Sequence, residues 1–178
     1  MEISQYSNIF KDIKITHGVN FHDERGSLKK TMYSDNLEDL ISPIKEVLCS
    51  TSKKNVIRGL HFQKSPYEVD KLVTCIKGEI LDVFVDIRKE SVNFGNFGSI
   101  NLNEEDKKAI LIPKGYAHGY STLSDEAIIV YLQSGNFNED FDESINPLSL
   151  SIDWKVVSPI ISKKDKNSIK FEDFKELI

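Results

Sequence analysis

Cysteine, tryptophan and long apolar runs are scarce in this chain. Its 178 residues include two cysteines, Cys49 and Cys75, and one tryptophan. The cysteines lack the spacing of a metal site, so we interpret them as reduced thiols. No apolar run approaches the roughly 18 residues of a membrane span, and no amino-terminal signal is evident. We therefore expect a cytoplasmic protein that does not enter a membrane.

An excess of positive charge is also missing. Lysine and arginine number 23 against 28 acidic residues, a net charge of −5. A nucleic-acid partner would call for a basic face, so we expect none. A glycine-rich phosphate loop and a serine on a strand-to-helix turn are absent too. Of the kinds of catalysis considered, acid–base chemistry by histidine, tyrosine, lysine and aspartate is therefore the one that the sequence favours.

Short β-rich segments occupy most of the chain, and no repeat or linker divides it. We predict one domain over residues 1–178, built as a sandwich or barrel, with a hairpin at Lys77-Gly78. Short helices are expected at 36–42 and 163–178. Ten strands are predicted: 13–19, 27–33, 45–50, 56–62, 71–77, 79–88, 97–102, 109–112, 118–122 and 126–133.

The predicted strand from residue 80 to 88 shows the clearest two-residue alternation between an apolar face and a more polar one. Leu81, Val83, Val85 and Ile87 share one face, which we expect to pack between sheets. The other face would line something polar, such as a barrel mouth that holds a small charged ligand. An outer strand with a solvated face is the alternative. The residues on that second face are Asp82, Phe84, Asp86 and Arg88.

The segment 55–86 places four polar residues in what otherwise reads as buried strand: Arg58, His61, Lys71 and Asp82. Polar groups are costly there unless they have partners, so they indicate a site. Arg58 and His61 are three residues apart, and a regular strand would send them to opposite faces. If both serve one pocket, the strand must bulge, and Gly59 is the residue that would allow it.

A metal centre is the less favoured interpretation. Metal-binding barrels of the cupin type usually carry two histidines one residue apart, whereas His61 is followed by Phe62 and Gln63. His61 and His118 with one carboxylate would supply three ligands, a minimal set for zinc or iron. We therefore predict no metal. His118 lies in the turn 113–120, whose aromatic rings would wall a pocket.

Several motifs follow one another along the chain: FHDERG at 21–26, RGLHFQ at 58–63, KL at 71–72, VDIRKES at 85–91, IPKGYAHGY at 112–120 and Tyr131. In this order they resemble the dTDP-4-dehydrorhamnose 3,5-epimerase family, and the likeness runs from about residue 13 to Asp165. The resemblance implies a mainly β cupin jelly-roll barrel that works as a homodimer without a cofactor.

The reaction implied is inversion at C3 and/or C5 of a nucleotide-linked 4-keto-6-deoxy sugar through an enolate, in the biosynthesis of surface-polysaccharide sugars. By resemblance, His61 is the base, and an imidazole suits proton abstraction near neutrality. Asp165 orients His61, Lys71 stabilises the enolate oxygen, and Tyr131 returns a proton from the other side.

The resemblance also implies a set of substrate-binding residues. Arginines suit forked contacts with phosphate oxygens, so a diphosphate is the expected ligand group. Arg25, Arg58, His118 and Lys164 match positions that bind the diphosphate and sugar, and Phe21 and Asp82 match further pocket positions.

Three departures from the family pattern concern the nucleotide and sugar. Phe137 stands where a second tyrosine is usual, Lys30 where a glutamate is usual, and 46–49 (EVLC) replaces a polar strand. The hypothesis is that the chemistry persists while the nucleotide differs, as in a GDP-linked 4-keto hexose or heptose. A cupin 3,4-ketoisomerase and a non-catalytic sugar-nucleotide-binding cupin remain as alternatives.

Overall fold

The computed structural model describes residues 2–31, 41 and 43–177. The helix predicted at 36–42 lies outside the described residues except for Ile41. The strands are β1 (Glu2–Gln5), β2 (Lys14–His17), β3 (Val19–Asp23), β4 (Gly26–Lys30), β5 (Glu46–Lys53), β6 (Val56–Gln63), β7 (Lys71–Lys77), β8 (Glu79–Asp86), β9 (Phe97–Asn103), β10 (Lys108–Ile112), β11 (Tyr116–Thr122), β12 (Glu126–Gln133), β13 (Asp142–Ser144) and β14 (Ile160–Ile161).

Two large sheets form the body of the protein. One has the order β1-β2-β10-β7-β12-β5, and the other has the order β13-β6-β11-β8-β9 with β14 beside β6. Neighbouring strands pair antiparallel except β14, which runs parallel to β6. The prediction of a mainly β, two-sheet barrel is therefore confirmed.

The main core lies between the two sheets, where apolar side chains from both inner faces meet. It includes Val73 and Ile110 from the first sheet and Ile80, Phe84 and Tyr120 from the second. A second cluster covers the outer face of the second sheet with the carboxyl-terminal segment, through Trp154, Ile161, Phe171 and Phe174.

Strand β8 is buried on both faces, which corrects one expectation. Leu81, Val83 and Val85 pack against the carboxyl-terminal segment and not between the sheets. The face that carries Asp82 and Phe84 points into the barrel. The alternative of a solvated outer strand is wrong, because Asp82, Phe84 and Asp86 are all fully buried.

The expected hairpin at Lys77-Gly78 is also wrong. Strand β7 belongs to the first sheet and β8 to the second, so the turn carries the chain from one sheet to the other. Gly78 has φ +73°, and a Cβ there would lie 2.0 Å from the carbonyl oxygen of Glu126. Glycine is therefore required by both conformation and space.

The carboxyl-terminal helix is divided in two: α1 (Lys163–Lys166) and α2 (Phe171–Leu177). Between them the chain extends, and Ile169 pairs with Ile145 in a parallel bridge. This pairing interrupts the single helix predicted over 163–178. A 3-10 turn spans Glu139–Phe141. Within the described part of the chain, no helix is long and apolar enough to cross a bilayer.

Strands β3 and β4 form a separate hairpin. Its middle pair is exposed, with Phe21 54% and Leu28 59% accessible to solvent. Its base is fastened by Lys29, whose ammonium donates hydrogen bonds to the carbonyl oxygens of Cys75, Asn103 and Glu104 at 3.0, 3.4 and 3.3 Å. The hairpin is thus held to the barrel while its apolar side chains face outward.

Candidate active site

A pocket of about 250 Å³ opens between the two sheets at the end where the predicted polar residues meet. It is built mainly from β5, β6, β7, β11 and β12, with Asp142 from β13, and Phe137 is the lining residue that lies outside these strands. The lining residues are Leu48, Arg58, His61, Phe62, Gln63, Lys71, His118, Gly119, Tyr120, Tyr131, Gln133, Phe137 and Asp142.

A bulge in β6 brings Arg58 and His61 into the same pocket. His61 pairs with His118 and Arg58 with Tyr120, so β6 has one more residue than β11 over this interval. Gly59 takes φ +125°, and a Cβ there would lie 2.6 Å from the Cα of Gly119. The predicted role of Gly59 in bending the strand is confirmed.

His61 and Asp165 form a hydrogen-bonded pair across 104 residues of sequence. His61 Nε2 lies 2.8 Å from Asp165 Oδ1, with the imidazole 37% exposed and the carboxylate 5% exposed. Ser162 caps α1 and places Asp165 in its first turn. Burial acts to raise the pKa of Asp165, but hydrogen bonds from His61 and the Gly59 amide outweigh it, and the pKa lies below 3.8. The ionised carboxylate therefore accepts the Nε2 proton, which leaves Nδ1 of His61 as a proton acceptor.

Lys71 stands beside this pair at the start of β7. Its Nζ donates to the carbonyl oxygen of His61 at 3.2 Å. Burial lowers the pKa of Lys71 from 10.5 to about 8, while the charges of Asp142 and Asp82 act in the opposite direction. At neutral pH the site therefore holds an ammonium ion next to His61.

Tyr131 supplies a phenol to the same pocket from β12. Its ring meets the ring of His118 edge to face, with centroids 6.0 Å apart. Burial raises the pKa of Tyr131 well above 10. The phenol is consequently protonated over the whole neutral range and available as a proton donor.

A second histidine–carboxylate pair lies beside the first. His118 Nε2 is 2.8 Å from Asp82 Oδ2, and both side chains are buried. Asp82 Oδ1 is buried without a hydrogen-bond partner among the described residues. Asp82 itself does not line the pocket; it holds the imidazole of His118, which does.

The other predicted binding residues are divided between the pocket and the hairpin. Phe137 lines the pocket, and Lys164 pairs with the pocket residue Asp142 at its rim. Phe21, Arg25 and Lys30 do not line this pocket; they lie on the β3–β4 hairpin. Arg25 there pairs with Asp23, and the Lys30 ammonium lies 5.9 Å from the Phe21 ring centroid.

Several polar residues of the site were missed in the sequence. Ser50, Ser52 and Tyr120 form a hydrogen-bonded group beside Tyr131. Glu46 accepts a hydrogen bond from the Phe137 amide at 3.2 Å, which ties that ring to β5. The predicted strand 45–50 ended too early to include Ser52, whereas β5 extends to Lys53 and its period-2 spacing places Ser50 and Ser52 on one face.

The pocket can remove a proton, stabilise an oxyanion and supply a proton. His61 with Asp165 provides the base, Lys71 a cation and Tyr131 an acid. No group of three or more potential metal ligands occurs among residues 2–31, 41 and 43–177. Fold and pocket together define a cupin-type barrel equipped for acid–base chemistry.

Comparison with known proteins places the chain within one family. A family model described as dTDP-4-dehydrorhamnose 3,5-epimerase matches residues 8–173. The chain belongs to this family, and the predicted enzyme class, an isomerase of the epimerase type, is confirmed.

Individual relatives agree. The dTDP-4-dehydrorhamnose 3,5-epimerase of Shigella flexneri is 40% identical over 167 residues, 91% of this chain and 92% of the relative. A dTDP-4-dehydrorhamnose 3-epimerase of Streptomyces niveus is 32% identical, over 83% and 73% of the two chains. The solved dTDP-6-deoxy-D-glucose-3,5-epimerase of Legionella pneumophila in complex with dTDP-4-keto-L-rhamnose has a TM-score of 0.86 at 33% identity, over 94% and 92%.

Proposed function

We propose that this protein inverts C3 and C5 of a dTDP-linked 4-keto-6-deoxyhexose by proton removal and return. The observation that carries the proposal is the convergence of the His61–Asp165 pair, Lys71 and Tyr131 on one pocket of a family member. The nucleotide and sugar are those in the names of the Shigella and Legionella relatives.

In the proposed mechanism, His61 takes a proton from the carbon next to the keto group. Asp165 holds the ring and stabilises the imidazolium that forms. The electron pair of the broken C–H bond moves to the keto oxygen, and the Lys71 ammonium stabilises the resulting enolate. Tyr131 then gives its proton to the carbon from the opposite face, which inverts the centre and leaves a tyrosinate.

Solvent deuterium tests the reaction directly. With a dTDP-linked 4-keto-6-deoxyhexose in deuterium oxide, we expect deuterium at C3 and C5 by NMR and an inverted product with the carbonyl still at C4. A carbonyl moved to C3 would identify a ketoisomerase. Binding without any exchange would identify a non-catalytic sugar-nucleotide-binding protein. Exchange and inversion at C3 alone would match the name of the Streptomyces relative.

A different nucleotide is the second candidate, because the chain departs from the family pattern at the base-recognising positions. Leu48 and Phe137 line the pocket, and Lys30 lies on the hairpin. A GDP-linked 4-keto hexose or heptose is the substrate that this candidate predicts. Measured kcat/KM values for dTDP- and GDP-linked 4-keto sugars decide between the two, and a clear preference for dTDP removes the second.

We also propose that the protein works as a homodimer in which each hairpin completes the partner's pocket. A two-stranded hairpin with exposed Phe21 and Leu28 has little stability of its own. Arg25, a predicted diphosphate ligand, lies on this hairpin and does not line the pocket of its own chain. The exposed hairpin surface and the absence of Arg25 from the pocket of its own chain support this proposal, because a second copy would cover that surface and supply that arginine.

A further inference from the structure

We propose that Ser50 and Tyr120 are positioning residues for Tyr131, which they connect to the guanidinium of Arg58 through Ser52. This inference rests on the proposed function. Arg58 Nε lies 2.8 Å from Ser52 Oγ, which lies 2.8 Å from the Tyr120 hydroxyl. That hydroxyl lies 3.0 Å from Ser50 Oγ, and Ser50 Oγ lies 3.5 Å from the Tyr131 hydroxyl.

The guanidinium of Arg58 sets the direction in which the four hydroxyl groups of this network donate their hydrogen bonds. Arginine donates and cannot accept, so Ser52 must accept from Arg58. Ser52 can then donate to Tyr120, Tyr120 to Ser50, and Ser50 to the phenol oxygen of Tyr131. Hydrogen bonds aligned in one direction polarise each other and strengthen the chain.

Tyr131 is the end of the chain, and two consequences follow there. Its oxygen accepts a hydrogen bond from Ser50, so the Tyr131 proton is not used in that contact. After that proton is transferred to carbon, the tyrosinate oxygen keeps a hydrogen-bond donor that is polarised by the Arg58 charge. The chain therefore supports the group that inverts the centre and not the group that removes the proton.

Burial shows that the hydroxyls are held in place. Tyr120 is 1% exposed and Ser52 is 3% exposed. A buried hydroxyl without a partner is costly, and both of these have two partners. A phenylalanine at position 120 would fill the same space without the hydroxyl, and the chain would be cut between Ser52 and Ser50.

The test separates proton removal from inversion. Tyr120→Phe and Ser50→Ala are compared with wild type in deuterium oxide with a dTDP-linked 4-keto-6-deoxyhexose. His61 is untouched in both variants, so deuterium exchange by removal and return on one face should be reduced much less than inversion. Inversion, which needs Tyr131, should fall about tenfold, the loss expected from one hydrogen bond to a charged group.

Tyr6→Phe is the matched control. Its hydroxyl contacts the backbone of Ser99 at 2.7 Å, outside the pocket, and its loss should change neither rate. Wild-type inversion in Tyr120→Phe or Ser50→Ala would overturn the proposal. So would an equal loss of exchange and inversion. Ser50 is half-buried, so Ser50→Ala keeps the test usable if Tyr120→Phe misfolds.

A measurement without substrate distinguishes this inference from the proposed function. In protein labelled with 13C at the tyrosine Cζ, the Tyr131 resonance is assigned by its loss in Tyr131→Phe. It should shift in Tyr120→Phe and Ser50→Ala and stay in place in Tyr6→Phe. An unchanged Tyr131 resonance in both network variants would overturn the network, whether or not a 4-keto sugar is turned over. Failure of wild type to exchange any such sugar would instead remove the proposed function.

Discussion

The barrel pocket and the β3–β4 hairpin carry residues of one predicted site, but they differ in how those residues are held. The pocket is lined by side chains from paired strands, among them His61, Lys71 and Tyr131. The Lys71 ammonium also donates a hydrogen bond to the carbonyl oxygen of His61. On the hairpin, Phe21 and Arg25 are exposed, and Arg25 pairs with nearby Asp23. The chain assembles the proposed acid–base groups by itself, whereas part of the predicted substrate-binding set lies on the hairpin and outside the pocket.

This difference separates chemistry from substrate capture. Groups that move protons must be fixed to fractions of an ångström, which paired strands provide. Groups that hold a diphosphate can be supplied by a second copy, provided that the partner presents them rigidly. Substitutions in the pocket should therefore lower the rate of proton transfer, whereas substitutions on the hairpin should weaken substrate binding.

The largest effect is expected from His61→Ala. Loss of the base should lower deuterium exchange at C3 and C5 by about 10³-fold, within the range of general acid–base catalysis. The fold should persist because the side chain is partly exposed. His17→Ala is the control, since His17 contacts Ser4 and lies outside the pocket. Normal exchange in His61→Ala would remove His61 from the role of base.

Arg25→Ala should weaken substrate binding by about tenfold or more, the cost of a lost charge-assisted contact. A more decisive test is to refold the Arg25→Ala protein together with the His61→Ala protein, so that mixed dimers form. In a mixed dimer, the Arg25→Ala chain keeps His61 and receives Arg25 from its partner. Activity should then reappear, although each variant alone is impaired. If Arg25 served its own chain's pocket, no mixed site would be complete and no activity would return.

The pH profile of kcat/KM, which reports groups of the free enzyme, should fall as the pH rises above about 8. Stabilisation of the enolate needs the protonated ammonium, and burial lowers the pKa of Lys71 from 10.5 to about 8. The fall should be absent or displaced to higher pH in Lys71→Arg, because a guanidinium stays charged. An unchanged alkaline limb in an active Lys71→Arg variant would show that another group titrates.

Lys29→Met should have the smallest effect. The substitution removes the three hydrogen bonds that fasten the hairpin to the barrel. A looser hairpin should raise KM by about twofold to threefold through ordering cost, with kcat unchanged. Lys11→Met is the control, because it makes the same substitution at an exposed lysine outside the hairpin. A fall in kcat with unchanged KM in Lys29→Met would contradict a hairpin that serves binding alone.

The sequence predicted the parts of the site that lie close together along the chain. Alternation placed Asp82 on the polar face of its strand, and Gly59 between Arg58 and His61 indicated the bulge. Local strand geometry determines both features, so a local pattern was sufficient. The error at Lys77-Gly78 has the same origin, because a tight turn has the same residues whether it joins strands of one sheet or of two.

Long-range features were accessible only through the family resemblance, or not at all. Asp165 reaches His61 across 104 residues, and no spacing rule predicts such a contact. The break in the last helix arises from a bridge between Ile145 and Ile169, a tertiary pairing that overrides local propensity. The serine–tyrosine network was missed because hydroxyl groups of β5, β11 and β12 meet only after the sheets close.

Through Lys71, the free energy of unfolding and the rate of turnover should change in opposite directions with pH. Between the folded pKa of about 8 and the unfolded value of 10.5, the unfolded chain binds more protons than the folded one. Through this side chain, the free energy of unfolding therefore rises with pH across that interval. Turnover should fall over the same interval. At neutral pH the folded protein holds a charge that it would be more stable without, as expected if Lys71 stabilises an enolate.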